Sequence, residues 1–103
     1  MDNYVINSIA SKSDFVREGF TNCGDNTLQL VRDLYKGMIS LKVSVEFSDQ
    51  DPWINTKVYI TKSGETYPLC CEYGINQVRD TVMSRYKEEM NKLIRLGLIR
   101  RAN

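Results

Sequence analysis

Histidine is absent from this chain of 103 residues, and proline occurs only twice. Without imidazole the commonest general base and the commonest metal ligand are missing. Ser-His-Asp and Cys-His arrangements cannot be assembled within the chain. Cysteine is scarce as well, at Cys23, Cys70 and Cys71. An odd count argues against a closed disulfide framework. An adjacent pair with a remote third also lacks the CxxC spacing of a zinc site. The six glycines are scattered, so no phosphate-cradling loop is present. No apolar run approaches the ~20 residues of a membrane span. The opening Met1-Asp2-Asn3-Tyr4 lacks a basic, apolar secretory leader, and there is no Asn-x-Ser/Thr sequon. These absences lead us to expect a cytoplasmic protein with no membrane contact, no metal, no cofactor and no enzymatic activity.

The carboxylates do not restore an enzyme. Asp49 and Asp51 share a polar loop of the kind that is usually solvated. Glu88 and Glu89 are sequence neighbours and do not face each other on a helix.

What is present is an ordinary globular composition, 42% apolar and 26% charged, which predicts one folded domain over residues 1–103. Residues 1–10 read as an arm or an edge strand, and 97–103 as a tail. The net charge of +1 steers neither nucleic acid nor membrane strongly, but residues 79–103 hold seven basic and three acidic groups.

Ser11-Lys12-Ser13-Asp14 has capping-box spacing and predicts a short helix near 13–21. Asn22-Cys23-Gly24-Asp25-Asn26 is a turn cluster. Leu28, Val31, Leu34 and Tyr35 then fit a helical stripe, capped by Asp25 or Asn26 and ended by Gly37. Ile39, Leu41, Val43, Val45 and Phe47 alternate with polar residues and predict a half-buried strand. Trp53 to Thr61 reads as a second strand, with Ile54, Val58 and Ile60 on one face. Ser63-Gly64 predicts a tight turn. Thr66 to Tyr73 reads as a third strand, at an edge because Pro68 cannot donate to a ladder. A long helix follows from about Ile75 to Leu96, stopped by Gly97. The fold expected is α+β: a three-stranded antiparallel meander with N-terminal helices and a long C-terminal helix on one face, in the order α-α-β-β-β-α.

Val78, Val82, Tyr86, Met90 and Ile94 recur at every fourth residue of the last helix. Each such step drifts about 40° round a straight helix, so the row winds about halfway round it. Either the helix crosses the sheet obliquely and is completed by N-terminal elements, or its far half packs on another chain. On the second reading Tyr86, Met90, Leu93 and Ile94 form a homodimer seam.

Two surfaces can bind a partner. The basic side of the last helix carries Arg85, Lys92 and Arg95, followed by Arg100 and Arg101, and such a face can neutralise phosphates. The outer face of the sheet carries Lys42, Ser44, Lys57, Tyr59 and Trp53, and aromatic and arginine anchors are what protein interfaces use.

The order helix–strand–strand–strand–helix over roughly residues 26–96 resembles the double-stranded-RNA-binding domain by topology. That family places a lysine cluster at the start of its last helix, whereas Gly74-Ile75-Asn76-Gln77-Val78-Arg79 has one basic residue here. The expected function is a protein–protein interaction module that regulates or inhibits a larger partner by occlusion, through Trp53, Tyr59, Lys42, Lys57, Arg85, Lys92 and Arg95. Small size and plain composition suit an accessory protein of a phage or virus. The alternative is a dimeric nucleic-acid-binding regulator using the basic C-terminal helix.

Overall fold

The computed structural model describes residues 3–47, 52–67 and 77–102. In chain order the elements are β1 (Tyr4–Ile6), α1 (Lys12–Arg17), β2 (Thr21–Gly24), β3 (Thr27–Tyr35), β4 (Ile39–Glu46), β5 (Trp53–Ile60), α2 (Gln77–Arg95) and β6 (Ile99–Arg101). The mixed α+β class, the antiparallel sheet and the long C-terminal helix are as expected. The strand count and N-terminal helix count are not. Six strands form a four-stranded sheet in the order β2-β3-β4-β5 and a two-stranded ribbon of β1 and β6.

The helix expected after Asn26 is a correction: that segment is β3. The helical stripe of Leu28, Val31, Leu34 and Tyr35 requires Val31 inside, but Val31 is 51% exposed. Leu30, which the stripe omits, is 3% exposed. Leu28, Leu30 and Leu34 are the buried set, Arg32 lies in phase with them and reaches Glu89 of α2 at 3.8 Å, and Gln29, Val31 and Asp33 face out, which is the period of a strand. β3 pairs with β4 along its length, from Thr27↔Glu46 to Tyr35↔Ile39. With β3 a strand, the element that carried the topological resemblance to the RNA-binding domain is not a helix.

Gly37 accordingly ends no helix. It sits in the β3–β4 hairpin, where Lys36 and Gly37 have φ of 43° and 73°. The Met38 N–H donates to the Tyr35 carbonyl at 2.7 Å, and the Gly37 N–H to the Asp33 carboxylate at 2.8 Å. Successive left-handed residues suit the twist of a hairpin. A Cβ added at Gly37 meets nothing within 4 Å, so Gly37→Ala tests backbone conformation alone. It should cost about 1–2 kcal/mol, read as a lower denaturation midpoint with an unchanged m-value.

The capping box forms as expected. The Ser11 N–H donates to the Asp14 carboxylate at 2.9 Å, and the Ser11 hydroxyl to the same oxygen at 3.1 Å. The backbone bond first, then the hydroxyl, holds the Asp14 carboxyl below its ordinary value of 3.8. The cap is therefore at full strength above that value and is lost as pH falls through the lowered one.

Ser63-Gly64 makes the predicted turn, with the Gly64 N–H donating to the Ile60 carbonyl at 2.7 Å. Beyond it, Thr66 bridges Tyr59 and the Tyr67 N–H donates to the Val58 carbonyl at 2.8 Å. The rest of the third strand expected over 66–73, with Pro68, Cys70 and Cys71, lies outside the described residues, as do Asp49 and Asp51.

The tail is also a correction. Gly97 (φ 79°) stops α2 with two bonds, Gly97 N–H to the Ile94 carbonyl at 3.0 Å and Leu98 N–H to the Leu93 carbonyl at 3.1 Å. The chain then pairs as β6 with β1, Tyr4↔Arg101 to Ile6↔Ile99. Of the two readings of residues 1–10, the edge strand is the one present.

One core holds these parts together. The inner sheet face (Leu28, Leu30, Leu41, Val43, Val45, Val58) packs with Phe15 and Phe20 and with Val82, Tyr86, Met90 and Leu93 of α2. The far half of α2 is completed inside the chain, because Leu98 and Ile99 belong to the same cluster. The Tyr86 hydroxyl is buried without a hydrogen-bond partner among the described residues. A buried hydroxyl left unpaired costs about 1–3 kcal/mol. Tyr86→Phe should therefore raise the unfolding free energy by about 1 kcal/mol, where most core changes lower it.

Candidate functional site

The four-stranded sheet has α2 on its inner side and presents a second face made by the alternate residues of each strand. Register sets out that face in rows. Gln29, Ser44 and Asn55 form one, Val31, Lys42 and Lys57 the next, and Asp33, Ser40 and Tyr59 a third. Trp53 lies opposite Glu46 at one end. Directly opposed residues have Cβ atoms ~5 Å apart, and successive rows follow at ~7 Å. Lys42, Lys57, Tyr59 and Trp53, expected together from sequence, are thus brought onto one surface.

The side chains there are held in place. The Trp53 indole N–H donates to the Glu46 carboxylate, and the indole remains 42% exposed. Lys57 Nζ lies 5.7 Å from the Tyr59 ring centroid and donates to the Gly64 carbonyl at 3.0 Å. Ser40 and Thr61 hydroxyls meet at 2.6 Å.

Gln29, Val31 and Asp33 belong to this surface and were missed, because a helical reading of β3 hid the third column of the face. The signal was the alternation of Leu28, Leu30 and Leu34 with those residues.

The other predicted residues are elsewhere. Arg85 on α2 donates to the Leu34 carbonyl at 3.1 Å, so it clamps the helix to β3. Lys92 and Arg95 are exposed in the last turn of α2, where cations complement the helix dipole. The residues expected to form a dimer seam lie largely inside the chain. Met90 is 0% and Leu93 3% exposed within the chain, Tyr86 is buried and Ile94 packs against the core cluster. Tyr86, Met90 and Leu93 therefore have little free area to offer a second copy, and Ile94 is half-buried.

Besides a hollow of about 280 Å³ among Asn3, Tyr4, Asn55 and Thr56, two concavities mark the surface of the described residues. One of about 200 Å³ lies between α1 and the end of α2, among Ile9, Asp14, Arg17 and Leu96. Asp14 is already engaged by Ser11 and by Arg17 at 3.9 Å. Another of about 610 Å³ is lined by Met38, Ile39, Ile60, Lys62, Tyr67 and Val78, with Lys62 its one charged side chain among the described residues. Neither gathers several polar groups round an apolar floor, the usual form of a small-molecule site. Among the described residues no group of three or more carboxylates or thiols could hold a metal ion. No helix of the described residues is long and apolar enough to cross a membrane.

An α+β domain with helices on one side of an antiparallel sheet and a mixed polar and aromatic face on the other is the class these features define. No protein-family model matches the chain, and no curated protein matches it. Among solved structures it is similar to a DUF1831-family protein from Lactobacillus plantarum, with a TM-score of 0.72 over 96% of this chain and 86% of that one, at 12% identity. At that identity the likeness is one of fold.

Proposed function

We propose that this chain is a protein-binding module that acts through the outer face of its four-stranded sheet, covering a working surface of a larger protein with no bond made or broken. One observation carries the reading. Trp53, Tyr59, Val31 and two lysines share a face whose backbone is fixed by continuous pairing through β3, β4 and β5. Preformed aromatic anchors lose little side-chain entropy on binding and are what interface hot spots are made of.

The test is capture from source-cell lysate with the wild type and a Trp53→Ala/Tyr59→Ala variant side by side, with and without nuclease. The expected result is a protein retained by the wild type, lost by the variant and indifferent to nuclease. A partner that the variant retains equally well defeats the reading.

A second reading rests on the basic excess of residues 79–103. Lys87, Lys92, Arg95 and Arg100 are exposed and can meet phosphates. Nuclease-sensitive capture, with affinity falling steeply as salt rises, selects this reading over the first.

A further inference from the structure

Lys42 and Lys57 stand directly opposite each other across β4 and β5. The third member of their row is the uncharged Val31. Opposed like charges destabilise a sheet, so folding alone disfavours this pair. Among the described residues no carboxylate forms an ion pair with either lysine. Glu46 accepts the Trp53 indole N–H at one end of the face, and Asp33 accepts the Gly37 N–H at 2.8 Å at the other. Among the described residues the ion pairs are Arg17–Asp14 and Arg32–Glu89, neither involving these lysines. Lys57 reaches the neutral Gly64 carbonyl and the Tyr59 ring, and Lys42 has no polar partner among the described residues.

We infer that the row Val31–Lys42–Lys57 receives an acidic side chain from an extended protein segment laid across the face. The inference rests on the reading of this face as a protein-docking surface. A carboxylate placed between the two ammonium groups relieves their repulsion and gains charge-assisted hydrogen bonds. Tyr59 and Trp53 supply apolar contact on either side of it. The end carboxylates decide against a polyanion. Glu46 is four residues along β4 from Lys42, about 13 Å, so a strand of evenly repeated phosphates that reached the lysines would also meet Glu46 or Asp33. A peptide with one central acid and neutral flanks does not.

The test uses isotope-labelled full chain titrated with an acetylated valine–threonine peptide carrying one central glutamate, the same peptide with glutamine for that glutamate, and a short single-stranded oligonucleotide. Amide shifts are expected at Val31, Lys42, Lys57 and Tyr59 with the glutamate peptide. Binding should weaken about tenfold or more with the glutamine peptide or in Lys42→Gln/Lys57→Gln. Lys42→Glu should raise the melting temperature by replacing a like pair with an opposite one; a lower melting temperature contradicts the claim of a pairing kept against folding. Equal binding of the two peptides overturns the acid preference. If neither peptide shifts this face while Trp53→Ala/Tyr59→Ala still loses its captured partner, the acidic segment is wrong and the docking face stands. Shifts produced there by the oligonucleotide alone overturn both.

Discussion

Leu93→Asp will unfold this protein. Leu93 is 3% exposed, its carbonyl accepts the Leu98 N–H at 3.1 Å, and both side chains lie in the common core. The substitution forfeits about 1.5–3 kcal/mol of apolar burial and places a carboxylate where desolvation costs several kcal/mol more. A domain of this size has about 5–15 kcal/mol of stability in total. The cooperative thermal transition and most far-ultraviolet ellipticity should therefore be lost at neutral pH. Leu96→Asp is the control. Leu96 is three residues further along the chain and 45% exposed, and its change should stay within about 0.5 kcal/mol. A Leu93→Asp protein that kept native ellipticity and only lost mass in solution would favour the dimer seam over internal packing.

Phe15→Ala should lower the unfolding free energy by about 3–5 kcal/mol. The ring is wholly buried and meets Phe20 edge-on at 5.1 Å and Phe47 at 5.3 Å. α1 has six residues, far fewer than an isolated helix needs to persist in water. The helix is therefore held by what Phe15 buries, and its capping box only shapes the entry. Denaturant titration followed by tryptophan emission reads the effect at Trp53, remote in sequence from the substitution. Phe15→Leu keeps most of the volume and should cost less. A midpoint for Phe15→Ala equal to the wild type would mean that α1 is not part of the cooperative core.

Legibility in the sequence followed the range of the interactions. Ile39 to Phe47 read as a strand because one buried face imposes period two on neighbouring residues, and β4 is one of the two strands with a partner on each side. The capping box, the Ser63-Gly64 turn and the Gly97 stop were legible because each closes within a few residues. The segment 27–35 was not. Leu28 and Leu34 fit both periods, and only the exposure of Val31 and the burial of Leu30 separate them. Most of the candidate face was legible through Lys42, Lys57, Tyr59 and Trp53, but its third column vanished with the misread strand. The basic set on α2 was legible as charge, while the role of Arg85 as a clamp on the Leu34 carbonyl was not, since its acceptor lies in a distant part of the chain.

By itself the sequence determined the lack of imidazole chemistry, the extent of β4, β5 and α2, and the turns at Ser63-Gly64 and Gly97. Composition and short-range periodicity decide such things without reference to distant residues. Tertiary structure alone decided that 27–35 is a strand, that the two ends of the chain pair as β1 and β6, and that α2 is satisfied by its own chain. Those outcomes depend on which residues, far apart in sequence, share hydrogen bonds and exclude water together, and no local pattern records that.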